Sequence, residues 1–184
     1  YGLSVLVVGS MLLAWRKDYD ELAPRTLPDG REAALALLVG LVVFALWIHL
    51  DAPWMTLGEP TATFRPLDDD DGIDWALVMV RWIGAACMVP VMEELFWRSF
   101  LMRWVERPDF AGVDPKRVGL RAVVISTFMF VLVHPLWLGS AIAGLAYAWL
   151  YIRSGKLWTA VIAHAVTNGA LGVWVVWSRQ WQFW

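Results

Sequence analysis

Reactive side chains are scarce in this chain. Of its 184 residues, one is cysteine and three are histidine. The lone Cys87 lies in an apolar stretch, which excludes a disulfide framework and a thiolate metal cluster. Charge is sparse as well: Asp, Glu, Lys and Arg make up 17% of the chain and balance to a net -2. That leaves no basic surface to draw a nucleic-acid partner. Residues Gly2 to Trp15 carry no basic n-region and no small-residue cleavage site. They read as a membrane segment, not as a cleavable signal peptide.

Apolar residues are abundant. They make up 59% of the chain, and its mean hydropathy is +0.55. They come in blocks at 2–15, 33–50, 75–105, 121–138, 139–152 and 157–177. A membrane helix needs about 20 apolar residues, or about 17 at the short end. The expected fold is therefore all-α: a polytopic membrane helix bundle of about six transmembrane segments, one integral membrane domain over 1–184. The fifth block, GSAIAGLAYAWLYIR, is rich in small residues, which suits a helix packed tightly on its neighbours. Many of the 14 tryptophans, among them Trp15, Trp54, Trp75, Trp104, Trp158 and Trp177, fall near block ends, as interfacial belts do. The WSRQWQFW stretch reads as one more interface anchor.

Basic residues set the orientation. Arg16, Lys17, Arg25 and Arg31 lie in one loop; Arg103, Arg107, Lys116, Arg117 and Arg121 lie in or beside another; Arg153 and Lys156 flank a third. The positive-inside rule puts loops 16–32, 106–120 and 153–156 in the cytoplasm. Loop 51–74, with its acidic run Asp68 to Asp71, then faces outside as a solvated loop.

Against this background Glu93 and Glu94 stand out, side by side in VPVMEELFWRSFLMRWV. Ionisable residues within a membrane segment mark function by default. Neighbours on a helix point about 100° apart, so the two carboxylates do different jobs. Glu94 and Arg98 are four apart, the spacing at which helix side chains meet. Glu93 faces away from Arg98 and is the better general base. His164 and Asn168 are also four apart and share a face, where their N–H groups suit an oxyanion. His134 precedes Pro135, which disfavours helix in the residue before it. Pro90 removes a backbone donor and invites a kink. Counted at 1.5 Å per residue, Glu93, His134, His164 and Asn168 lie roughly 18, 20, 10 and 16 Å from the cytoplasmic ends of their segments. They fit one layer. His49, at a segment end, is assigned no role.

These residues form three ordered motifs: Glu93-Glu94-Leu95-Phe96-Trp97-Arg98, Phe130-Val131-Leu132-Val133-His134 and His164-Ala165-Val166-Thr167-Asn168. The pattern resembles the CAAX prenyl protease and bacteriocin-processing family of glutamate-type intramembrane proteases, over a core of about 75–177. EELFWRSFLMRW is also similar to the branch found beside bacterial exosortase systems. The resemblance implies an intramembrane endopeptidase in a bacterial inner (cytoplasmic) membrane, acting on a membrane-anchored protein or peptide. It implies that Glu93 activates water with help from His134, that His164 and Asn168 form the oxyanion site, and that Glu94 and Arg98 support them. No cofactor is expected. Zinc is the alternative, since two His and one Glu are a known zinc set, although HExxH spacing is absent. A competing function is an immunity or assembly factor of the same fold that binds a hydrophobic peptide without cutting it. A third is a transporter, for which no internal repeat speaks. The sequence sets no oligomeric state.

Overall fold

Each apolar block yields one helix. The computed structural model describes residues 2–58, 64–67 and 70–184. The helices are α1 (Gly2–Ala14), α2 (Gly30–Trp47), α3 (Trp75–Glu106), α4 (Leu120–Leu132), α5 (Trp137–Ser154) and α6 (Leu157–Ser178). Among the described residues there is no strand, only isolated β-bridges. Asp68 and Asp69 of the acidic run lie outside the described residues, and Asp70 and Asp71 are exposed.

By length and composition α2, α3 and α6 can cross a membrane. Helices α1 and α4 are apolar but have 13 residues each, about 20 Å of rise against a hydrocarbon core of about 30 Å. The fourth apolar block runs to 138, but α4 stops at Leu132, with the break at His134 where Pro135 disfavours helix. Its broken backbone is satisfied from another loop. Leu57 N–H donates to the Pro135 carbonyl at 2.7 Å, Thr56 bridges to Leu136, and Trp137 Nε1–H donates to the Trp54 carbonyl at 2.8 Å. Irregular backbone at membrane depth survives when protein covers it in this way.

Helix α2 starts at Gly30, three residues before its apolar block, because Asp29 caps it. The Asp29 carboxylate accepts from Arg31 N–H at 2.8 Å and Glu32 N–H at 2.9 Å, and Glu32 accepts from Asp29 N–H at 2.9 Å. This reciprocal capping box satisfies donors that a helix start leaves open. The Glu32 N–H holds the Asp29 carboxyl below the usual aspartate range.

Helix α6 runs through the middle of the bundle and packs on α2, α3 and α5. It buries Leu157, Ala160, His164, Thr167, Leu171 and Val175, spaced by three or four as a buried helix stripe requires. Close approach needs missing side chains. A Cβ on Gly40 would sit 2.5 Å from the Ala163 carbonyl oxygen, and one on Gly172 would sit 2.3 Å from Trp82. Helix α3 is continuous but not uniform. Two π-helical stretches, Gly84–Met88 and Leu95–Met102, flank the α-helical Val89–Glu94 that carries both glutamates.

On the side assigned to the cytoplasm, Glu21 ties the first loop to the bundle. Its carboxylate accepts from Arg103 Nη2 at 2.8 Å, from Tyr151 Oη at 2.5 Å and from Ser99 Oγ. Glu21→Ala strands Arg103, which is buried, and is expected to cost about 3 kcal/mol. Unfolding in detergent checks this, and an unchanged midpoint would refute it. Asp29→Ala is expected to lower the melting temperature at neutral pH. Because folding depresses the Asp29 pKa, its contribution is present above the unfolded pKa and lost as pH falls through the folded one. The difference between variant and wild type should therefore shrink in acid; a gap that persists there would argue against the cap.

Candidate active site

The site is built outward from one buried carboxylate. Glu94 is fully buried and Arg98 is 2% exposed. Arg98 Nη1 donates to Glu94 Oε1 at 3.2 Å, and Nε lies 3.1 Å from Oε2. The rest of the guanidinium is held too. Its Nη2 donates to the Gly144 carbonyl at 3.2 Å, and its Cζ lies 4.8 Å over the Phe130 ring. Glu94 Oε1 takes a second hydrogen bond, from His164 Nδ1 at 2.8 Å. A carboxylate only accepts, so His164 carries its proton on Nδ1. Its Nε2 is then a lone pair if the ring is neutral and a donor only if the ring is cationic.

Glu93, one residue back, turns away from this pair into a cavity of about 500 Å³. His134, His164 and Asn168 line the same cavity. His134 Nδ1 lies 2.8 Å from the Phe130 carbonyl oxygen. A carbonyl cannot donate, so Nδ1 holds the proton and a neutral His134 presents Nε2 as an acceptor. That Nε2 lies 4.0 Å from Glu93 Oε2, an oxygen that no protein donor reaches among the described residues. The His134 ring packs 4.2 Å from the Phe130 ring and edge-on to Trp47 at 6.3 Å. Phe130 thus sets the His134 tautomer through its backbone.

Asn168 is placed by an irregularity in α3. In the π-helical stretch Val89 N–H reaches the Gly84 carbonyl, five residues back. The next bond in that register would run from residue 90 to Ala85, but Pro90 has no N–H. Asn168 Nδ2 fills the vacancy, donating to the Ala85 carbonyl at 2.9 Å. Pro90 therefore does not kink the helix to a stop; it frees a carbonyl that seats Asn168. The second N–H of the Asn168 amide stays available to the cavity. One residue on, Trp82 Nε1 donates to the Gly169 carbonyl at 2.9 Å and keeps α3 and α6 in register.

Five of the residues that line the cavity escaped the sequence reading as site residues. Tyr147 and Thr167 line the cavity beside His164. Gln182, Phe183 and Trp184 also line it, after the chain reverses at Arg179, whose φ is 56°. The WSRQWQFW stretch, expected to be an interface anchor, is thus in part a cavity wall. Trp181 fastens it against Leu171 and Val175. Thr167 could have been found, because it lies inside the HAVTN motif. Nothing in the spacing marked the other residues.

The link between Pro90 and Asn168 is testable through stability alone. Asn168→Ala strands the Ala85 carbonyl and should cost about 1–3 kcal/mol. In a Pro90→Ala background a backbone N–H can take that carbonyl, and the cost of Asn168→Ala should shrink. Thermal unfolding of the four proteins in detergent decides, and an equal cost in both backgrounds would sink the link.

No curated protein and no solved structure matches this chain. A family model does: type II CAAX prenyl endopeptidase, Rce1-like, over residues 75–170. That stretch is more than half of the chain and holds Glu93, Glu94, Arg98, His134, His164 and Asn168. With three membrane-length apolar helices in the bundle, the chain belongs to the type II CAAX prenyl endopeptidase Rce1-like family of membrane proteases.

Proposed function

We propose that this protein is a glutamate-type intramembrane endopeptidase. In this reading it hydrolyses a peptide bond of a membrane-anchored protein or peptide, in a bacterial inner membrane. The observation that carries the proposal is the facing pair of acceptors, Glu93 Oε2 and His134 Nε2, 4.0 Å apart in the cavity. Two acceptors at that distance suit one water molecule, whose two O–H groups can donate to both. A water so held keeps a lone pair free for attack.

The reaction follows. Glu93 takes a proton from the water while the water oxygen bonds to the peptide carbonyl carbon. The carbonyl oxygen becomes an oxyanion, and its donors are the free Asn168 N–H and His164 Nε2–H of the imidazolium. The proton on Glu93 then passes to the leaving nitrogen as the C–N bond breaks. Glu94 and Arg98 touch no reacting atom in this scheme. They set the orientation of His164 and Glu93.

We take the site to be metal-free, and the donor set supports this. The Glu94 carboxylate is turned to a guanidinium and an imidazole N–H. Glu93 and His134 face each other as open ligands. Among the described residues no three His, Cys, Asp or Glu side chains group as metal ligands. A protein zinc site needs at least three.

Glu93→Gln keeps the shape and removes the base. It is expected to lower the cleavage rate by about 10³-fold. Asn168→Ala is expected to lower it by about 10²-fold. The measurement is mass spectrometry of the termini of anchored membrane proteins, from cells carrying intact protein or Glu93→Gln. A terminus made only by the intact protein supports the proposal. Identical termini, with the variant folded and the biology preserved, would replace it with peptide binding without cleavage.

A further inference from the structure

We propose that Tyr147 is a positioning residue for His164, acting through a stacked ring locked by a hydroxyl relay. The inference rests on the oxyanion role proposed for His164. Glu94 alone does not fix that imidazole. One hydrogen bond at Nδ1 leaves the ring free to swing about it, and a swing carries Nε2 away from the reacting oxygen.

Tyr147 removes that freedom. Its ring lies 5.0 Å from the His164 ring with an angle of 19° between the planes, a stacked pair. Tyr147 is itself 1% exposed, so its ring has no room to follow a moving partner. Its hydroxyl donates to Thr167 Oγ1 at 2.8 Å, and the one Thr167 O–H proton is shared between the carbonyl oxygens of Gly40 at 2.9 Å and Ala163 at 3.0 Å. The relay thus ends on the backbone of two helices, α2 and α6. The Arg98 guanidinium carbon also lies 5.5 Å from the Tyr147 ring centre. One aromatic ring is therefore set against both partners of Glu94, and it belongs to a third helix, α5. Rings stacked with this offset gain beyond simple burial, and a cationic imidazole gains more on an aromatic face.

The test uses the full chain with Tyr147→Leu, Tyr147→Phe and Thr167→Val. Tyr147→Leu removes the ring, and kcat should fall about 100-fold with KM little changed, as a misplaced group does. Tyr147→Phe restores the stack without the relay, and kcat should recover to within about fivefold of wild type, the worth of one hydrogen bond. Thr167→Val should match Tyr147→Phe, and the two together should cost no more than either alone. A direct readout is imidazole nitrogen NMR of isotopically labelled histidine, assigned against His164→Gln. Wild type should show one sharp, hydrogen-bonded Nδ1–H signal for His164, and Tyr147→Leu should show it averaged.

Unchanged kcat in Tyr147→Leu, or a rise in KM with kcat kept, overturns the proposal, the latter by making Tyr147 a substrate contact. If Tyr147→Leu does not fold, the Phe and Val variants decide: additive losses, or none, overturn it. Wild type that cleaves nothing yet shows the fixed Nδ1–H signal would sink the hydrolytic reading and leave the positioning intact.

Discussion

A carboxylate with no contact to solvent, Glu94, governs the arrangement of everything around it. Removing its charge from water costs several kcal/mol, and the structure must return that through partners. Arg98 comes from the same helix, one turn on. His164 comes from the central helix, 70 residues away in sequence. A residue that must satisfy a buried charge has little freedom left, and Arg98 has less still, since Gly144 and Phe130 hold its other side. The ion pair is weak evidence for stability, because apolar residues could fill the same space. Its effect is on geometry: α3, α5 and α6 are pinned to one another at the depth of the cavity.

The two π-helical stretches of α3 belong to the same logic. A regular helix keeps every carbonyl for itself. The stretch at Gly84–Met88, with Pro90 behind it, leaves the Ala85 carbonyl for Asn168. Such stretches concentrate at functional sites because they trade internal hydrogen bonds for external ones. Here the trade places an amide of α6 against α3, beside the helix segment that carries Glu93. The break between α4 and α5 works similarly. It takes His134 out of helical geometry, and residues 54–57 repair the exposed backbone.

Much of this was legible in the sequence, for identifiable reasons. Apolar blocks and their basic loops mark helices because a bilayer allows little else. The Glu94–Arg98 spacing reports a contact within one turn, which needs no tertiary knowledge. The order of the three motifs pointed to the family. What was not legible depends on contacts between distant elements. No local pattern says that a tyrosine in a small-residue helix stacks on His164, or that residues 182–184 fold over the cavity. The start of α2 was missed because its Asp29 cap and Glu32 lie outside the apolar block that was being followed. The end of α4 was legible for a local reason: the apolar block continues, but Pro135 marks the break at His134.

Charge placement ties the proposed roles together. Glu93, His134, His164 and Arg81 line one cavity, and Glu94 and Arg98 stand behind His164. The proposed base and the proposed oxyanion donors are two halves of one electrostatic arrangement, each favouring the other in a low-dielectric site. The proposed first step keeps the net charge of the cavity unchanged. Glu93 loses its negative charge to the water proton at the moment the carbonyl oxygen gains one. The charge moves a few ångströms across the cavity, from the acceptor pair of Glu93 and His134 to the donors of His164 and Asn168. Nothing else in the bundle has to reorganise, which is the condition under which fixed dipoles and charges lower a barrier most.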